Sequence, residues 1–187
     1  VIATLFAAAL HHGIEVERVR QLIRTLNIPA PADVSVLPDW PRALRIHTLG
    51  RFDIVRDGSP LHSSGKAQKK TLDLLKALVA PGGSEVAEEK LCDALWPDAE
   101  PQLARQNLKA AVHRLRKLIG QQSIEVSAGH VRLSPREVSV DAWDVEQSLN
   151  RLLDAPPGHE SRAHDLDMRN AMRQYRGDFL AGEEAAF

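Results

Sequence analysis

The stretch Gln102–Ile119 constrains the fold of this chain more than any other part of its sequence. Its apolar residues recur at helical spacing and fall on one side of a helical wheel, which predicts a helix buried along that side. These residues are Ala104, Leu108, Ala111, Val112, Leu115, Leu118 and Ile119. The stretch contains no aspartate or glutamate, and Gly120 follows it at a C-cap position. One face of this helix therefore belongs to a core, and the other is polar and basic.

The polar face has the residue types that read DNA. Gln can pair bidentately with adenine, Lys can reach guanine O6 and N7, and a small Ala leaves room for a thymine methyl group. Arginines at the edges of the face can contact phosphates and fix the register of the helix. The candidate DNA-contacting residues are Gln102, Arg105, Gln106, Lys109, Ala110, His113, Arg114, Arg116 and Lys117. The alternative is an amphipathic helix whose solvent-facing side is basic by chance.

The segments before this helix predict a small sheet and two shorter helices. Residues 44–61 alternate apolar and polar side chains, and Asp57-Gly58 is a hairpin turn signal, so we expect a small antiparallel sheet there. Ala67–Ala80 has a broad apolar face and is stopped by Pro81-Gly82-Gly83. Glu88–Leu95 predicts a second, short helix that ends just before Pro97.

The segments after it predict a hairpin. Residues 124–127 and 130–133 are short alternating strands that turn at Ala128-Gly129, and 138–140 adds one more extended piece. A sheet, three helices and a hairpin follow one another in the order of a winged helix-turn-helix. The fold class predicted is α+β. The wing, residues 123–136, would bring basic side chains to the minor groove or the DNA backbone: His130, Arg132 and Arg136.

Helical segments are expected on both sides of this unit. Residues 1–12 and 16–27 predict two helices broken at Gly13, and residues 28–42 are too rich in proline for a helix. Two further helices are expected at 142–153 and 160–175. We therefore predict a helical end of an upstream domain (1–27), a linker (28–42), a winged-helix domain (43–140) and the start of a further helical domain (141–187).

Charge is distributed unevenly along the chain. The whole sequence has a net charge of −1, but residues 42–136 hold 16 basic and 10 acidic residues, whereas residues 137–187 hold 5 and 11. A basic middle segment followed by an acidic one indicates that only the middle meets a polyanion. Chance segregation of charges on solvated faces is the alternative explanation.

Composition excludes several classes of protein. Hydrophobic residues at 43% and charged residues at 26% are typical of a folded globular chain, and no apolar run approaches the length of a membrane span. Cys92 is the single cysteine, so an intramolecular disulfide is impossible and we expect a reducing, cytoplasmic location. The chain begins at Val1 rather than Met, and we expect it to be part of a longer protein.

Two motifs resemble catalytic sites but lack the required spacing. The pair His159 and His164 is one residue too far apart for a metalloprotease helix, in which two histidines at i and i+4 share one face. Ser64-Gly65-Lys66 lacks the earlier glycine of a phosphate-binding loop, and Ala67 stands where a hydroxyl would hold magnesium. We therefore expect no enzyme activity, no metal and no cofactor.

Several stretches together resemble a known family. "RIHTLGRFDIVRDGSPL", "EEKLCDALWPD" and "ARQNLKAAVHRLRKLIG" are similar to the OmpR-type winged helix of SARP-like transcriptional activators. "VDAWDVEQSL" and "YRGDFLAGE" resemble the start of the tetratricopeptide-like bacterial transcriptional activation domain. Upstream, "LFAAALHHGIEVERVRQLIRTL" resembles the last helices of a MalT-like regulator.

The resemblance implies a bacterial transcription activator that binds duplex DNA, as a dimer or in tandem on repeated sites. It also implies that the loop Trp96–Gln102 can contact RNA polymerase, although Trp96 could equally plug the core. The main rival is a helical interaction or signal-relay module whose winged helix is only structural. The acid-free helix favours DNA binding, because a relay module has no reason to exclude acids from one helix.

Overall fold

The computed structural model describes residues 1–26, 28–31, 40–61, 66–154 and 162–183. The helices in this part of the chain are α1 (Ile2–His11), α2 (Val16–Thr25), α3 (Lys66–Val79), α4 (Glu88–Leu95), α5 (Pro101–Ile119), α6 (Asp141–Leu153) and α7 (Arg162–Gln174). The strands are β1 (Leu44–His47), β2 (Asp53–Arg56), β3 (Ser59–Pro60), β4 (Val86–Ala87), β5 (Ile124–Ser127), β6 (His130–Leu133) and β7 (Val138–Val140). The predicted α+β class is confirmed.

The first sheet has the strand order β3-β2-β1-β7. β1 pairs antiparallel with β2, with Ile46 opposite Ile54, as the alternating sequence predicts. β1 also pairs with β7 in parallel, with Ile46 beside Val140. Sequence patterning predicted β7 as an extended piece but not its partner. One edge of the sheet is therefore formed by β7, a strand from the other end of the winged helix.

The core of the winged helix lies between this sheet and the three helices α3, α4 and α5. Leu78 and Leu115 are completely buried in it, and Leu91 and Leu95 of α4 are 1% exposed. The apolar stripe predicted for α5 is buried as expected, apart from Leu118, which is half-buried at its edge. Helical periodicity is a local property, so the buried side of α5 could be predicted without knowing its neighbours.

A second sheet, with the order β4-β6-β5, forms the wing. The predicted hairpin is present, with Ile124 opposite Leu133 and Val126 opposite Val131. β4 adds a third strand through the pair Val86 and Val131. A strand of two residues has no readable alternation, so the sequence did not indicate it.

The upstream helices α1 and α2 pack against a residue of the proline-rich segment. Trp40 is only 2% exposed and lies in an apolar cluster with Leu10, Val19 and Ile23. Residues 32–39, which contain most of the predicted linker, lie outside the described residues. The described end of this segment is thus anchored by Trp40.

Among the residues described, no helix combines the length and apolarity needed to cross a membrane.

The helices after the winged helix are joined to it by buried hydrogen bonds. Asp141 Oδ1 accepts from the backbone N–H and the hydroxyl of Thr48, both at 2.7 Å, and Asp141 Oδ2 accepts from Leu49 N–H at 3.2 Å. Trp143 Nε1 donates to the carbonyl of Val79 at 2.9 Å. The boundary expected at residues 140 and 141 stays a prediction, and these bonds cross it.

A second contact joins the chain after α7 to the same turn of the winged helix. Gly50 N–H donates to the carbonyl of Asp178 at 2.9 Å, and Leu180 N–H donates to the carbonyl of Thr48 at 2.7 Å. Lys76 Nζ on α3 contacts the Glu183 carboxylate at 2.5 Å. The turn at residues 48–50 is therefore held from two sides, by α6 and by residues 178–180.

Candidate nucleic-acid interface

Helix α5 is delimited by its own terminal residues. Pro101 occupies its first turn, where a missing N–H costs nothing, and Gly120 ends it with a φ of +113°. Arg116 and Lys117 lie in the last turn, where positive charge is favourable at a helix C-terminus. With 19 residues the helix is about 28 Å long, at about 1.5 Å per residue.

Most of the predicted contact residues of α5 share one solvent-exposed face. All but one of the nine candidates on this helix are exposed, and they lie opposite the stripe buried in the core. They are Gln102, Arg105, Gln106, Lys109, Ala110, His113, Arg114 and Lys117. This exposed face of α5 is the candidate interface.

Arg116 is the candidate on α5 that points elsewhere. It is half-buried, and its guanidinium donates to the carbonyl of Ile124 at 3.0 Å. That bond ties the end of α5 to the first strand of the wing. Arg116 was predicted to contact DNA, but in the structure its guanidinium binds within the protein.

The wing places its three candidates in different surroundings. His130 is exposed, with Nδ1 3.1 Å from the Ala128 carbonyl oxygen, and Arg136 is exposed just after β6. Arg132 is bound within the wing by two carboxylates, Glu125 at 2.6 Å and Glu85 at 3.2 Å. Glu125 and Arg132 lie directly opposite each other on β5 and β6.

The charge state of Glu125 follows from this pairing. Burial by itself would raise its pKa, but hydrogen bonds from Ser134 and Arg132 outweigh burial and lower the pKa below its ordinary value. Glu125 is therefore ionised at neutral pH and holds Arg132 across the hairpin.

Arg105 on α5 also has an acidic neighbour, Glu89, at 3.4 Å. Both of those side chains are well exposed, so that pair is weak and can exchange partners.

Leu103 also lies on the candidate interface, although it was not among the residues predicted from the sequence. It lies beside Gln102 in the first turn of α5 and is 51% exposed. The signal was an apolar residue on the polar side of the helical wheel, outside the buried stripe. An exposed leucine there can contact a thymine methyl group as Ala110 can.

The turn between α4 and α5 is shorter than expected. Helix α5 begins at Pro101, so Gln102, expected as the end of this loop, is already helical. Trp96 is half-buried and packs against the core, whereas Asp98 and Glu100 are exposed. The tryptophan thus contributes to packing, and the acidic residues face solvent.

Within the described chain, no three His, Cys, Asp or Glu side chains are grouped so that they could hold a metal ion.

Comparison with known proteins identifies relatives of this chain. It is 33% identical over 118 residues to regulatory protein AfsR of Streptomyces griseus, and 31% identical over 144 residues to AfsR of Streptomyces coelicolor. The structure of EmbR from Mycobacterium tuberculosis has the same fold, with a TM-score of 0.57 at 23% sequence identity over 75% of this chain and 38% of EmbR. The chain belongs to the SARP-type winged-helix regulators. No family model matches it.

The family assignment confirms the resemblance of the winged helix, and it makes DNA binding and transcription regulation the family-level function. The matched segments cover 63% and 75% of this SARP-type chain but only 11% and 14% of the two AfsR proteins. The chain therefore corresponds to a small part of those relatives. The MalT-like context upstream stays a prediction.

Proposed function

We propose that this SARP-type chain binds duplex DNA in a sequence-specific manner and activates transcription. Helix α5, about residues 102–119, would lie in the major groove, and the wing, residues 123–136, would lie on the minor groove or the backbone. The observation that carries the proposal is the exposed, acid-free face of α5 opposite the apolar stripe that packs in the core. No metal, cofactor or enzymatic step is part of it.

The dimensions and chemistry of α5 suit this role. A helix about 28 Å long fits along a major groove about 12 Å wide. Gln106 and Lys109 offer the donors and acceptor that adenine and guanine edges pair with, and Leu103 and Ala110 offer apolar contact to thymine. Arg114 and Lys117 lie at the edge and far end of the same face, where they can reach phosphates.

The internal bonds of the basic residues reduce the expected number of phosphate contacts. Arg116 is bound to the Ile124 carbonyl and Arg132 to two carboxylates, so both have partners within the protein. The remaining phosphate contacts would come mainly from Arg105, Arg114, Lys117 and Arg136. With about four phosphates neutralised, the slope of log affinity against log salt should be roughly −3.6.

Fluorescence anisotropy with a selected duplex and a scrambled duplex, across a salt series, tests this proposal. Arg136→Gln should make the slope shallower by about 0.9. Arg169→Gln, a change of the same kind at an exposed position of α7, should leave the slope unchanged. We expect the chain to bind the selected duplex more tightly than the scrambled one. Absence of binding to either duplex at low salt would favour the relay-module alternative, and equal binding to both would leave only a nonspecific basic surface.

The partners implied by the family are part of the proposal. RNA polymerase would contact the turn at residues 96–102, where Pro97, Asp98 and Glu100 are exposed. Substituting Asp98 and Glu100 by Ala should then lower transcript yield in a reconstituted assay and leave DNA affinity unchanged. Binding as a dimer or in tandem would appear as two protein copies per duplex in analytical ultracentrifugation.

We also propose that the protein is cytoplasmic. Its segments would be a helical end of an upstream domain (1–27), a linker (28–42), the winged-helix domain (43–140) and the start of a further helical domain (141–187).

A further inference from the structure

A cavity of about 270 Å³ lies where α2, β1, α6 and α7 meet, apart from the exposed face of α5 and from the wing. Its lining is almost entirely charged or polar: Arg20, Arg45, His47, Asp141, Asp144, Arg173, Gln174 and Arg176. We call this cavity the arginine pocket. Its residues come from both flanking helical segments and from the central sheet, and none of them belongs to the candidate DNA interface.

The alternation of β1 explains why basic residues face this cavity. Leu44 and Ile46 point into the core of the winged helix and are buried, so Arg45 and His47 point to the other side of the strand. A half-buried strand of this kind usually presents its polar side to solvent. Here that side is partly covered by α6 and α7, which turns a solvated strand face into the wall of a pocket.

The two carboxylates of the pocket already have hydrogen-bond donors from the protein. Asp141 accepts from Thr48, Leu49 and its own neighbour Ala142, and the pKa of Asp141 is lowered because these bonds and one from His47 outweigh its burial. Asp144 accepts from the Ser139 hydroxyl at 2.7 Å, and burial raises the pKa of Asp144 to about 6 in spite of the positive charge of Arg42.

The balance of charge in the pocket is positive. Four arginines and one histidine line the pocket together with the carboxylates of Asp141 and Asp144. Glu17, which is bonded to Arg20 at 2.7 Å, supplies one further acid at the edge. The lining therefore carries a formal net positive charge, which attracts an anion.

The position of Arg176 is fixed by its backbone. The carbonyl of Arg176 lies so close to Gly50 that a Cβ at Gly50 would be 2.5 Å from it. The bonds from Gly50 to Asp178 and from Leu180 to Thr48 hold the chain just after this contact. Arg176 is thus carried to the rim of the pocket by an anchored segment.

We propose that the arginine pocket binds a phosphate group, either as inorganic phosphate or as the monoester of a small metabolite. Arginine presents a planar fork of donors that matches the oxygens of phosphate, and several forks converging from separate segments favour a doubly charged oxyanion. A bound phosphate would bridge α2, β1 and the end of α7. Binding would therefore couple both flanking segments to the winged helix.

Isothermal titration of the whole chain with inorganic phosphate and, separately, with glycerol 3-phosphate tests the proposal. Saturable binding of at least one of them is expected, and the stronger ligand distinguishes the two sources. Arg173→Gln combined with Arg176→Gln should weaken binding at least tenfold, because both side chains are exposed at the rim and contribute charge. Arg114→Gln, which removes a guanidinium from the DNA interface instead, should change phosphate affinity less than twofold.

Amide chemical shifts of the unmodified chain give a second test that does not depend on the variants folding. Phosphate should shift the resonances of Arg45, His47 and Arg176 along one saturable curve. Shifts confined to α5, no saturable binding of either ligand at millimolar concentration, or equal affinity in the double variant would each overturn the proposal.

Discussion

Replacing Gly50 by Ala should damage the contact between the winged helix and the chain that follows α7. Gly50 has a φ of +81°, and a Cβ built there would lie 2.5 Å from the carbonyl oxygen of Arg176 and 2.9 Å from its carbonyl carbon. These are backbone atoms, held by the bonds from Gly50 to Asp178 and from Leu180 to Thr48. The side chain can be accommodated only if residues 176–180 move away.

Gly58 provides a matched control. Its φ is +82°, nearly the same as that of Gly50, but a Cβ there would have no atom within 4 Å. Gly58→Ala therefore isolates the conformational cost of a left-handed residue, about 1 kcal/mol. Gly50→Ala adds a steric cost of the size seen for overpacked cores, about 1–3 kcal/mol, so the total should be about 2–4 kcal/mol.

Urea unfolding followed by far-UV circular dichroism measures both free energies, and hydrogen exchange at the amides of Gly50 and Leu180 shows whether the contact opens locally. We expect faster exchange at both amides in Gly50→Ala and, because Arg176 moves, weaker phosphate binding. A Gly50→Ala variant that costs no more than Gly58→Ala and keeps both amides protected would refute the reasoning.

The side chains of Asp141, Asp144 and Lys109 can each be tested by substitution. Asp141→Ala leaves the buried donors of Thr48 and Leu49 without an acceptor and should cost about 3–5 kcal/mol of unfolding free energy at pH 7; exposed Asp154→Ala should cost under about 0.5 kcal/mol. Because the folded-state pKa of Asp144 is raised to about 6 from an ordinary 3.8, the native chain binds the extra proton between these values. Stability should therefore fall by on the order of 1–3 kcal/mol as pH rises through that window, and Asp144→Asn should flatten the fall in a pH series of urea melts. Lys109→Ala should weaken binding to the selected duplex by about 1–3 kcal/mol and to a scrambled duplex by less, whereas equal losses in the anisotropy assay would make Lys109 a phosphate contact.

The sequence by itself determined the local elements and the exposed face of α5. Helix α4 has the predicted bounds, α5 begins one residue earlier than predicted, and the hairpin turns at Ala128-Gly129 as expected. These features follow from periodicity, turn residues and capping, which act over a few neighbouring residues. The exposure of Gln106, Lys109 and His113 then follows from the burial of the opposite side.

Only the tertiary structure decided which distant segments meet. The parallel pairing of β1 with β7, the burial of Trp40 and the bonds of Asp141 to Thr48 each join parts of the chain that no local pattern relates. The direction in which a long basic side chain points also depends on acceptors that local sequence patterns do not place. Arg116 and Arg132 have the same residue type as Arg114, yet the Ile124 carbonyl and two wing carboxylates bind them because the fold brings those acceptors within reach. The arginine pocket exists for the same reason, since its charges come from α2, β1, α6, α7 and the segment after α7, which are adjacent only in the folded chain.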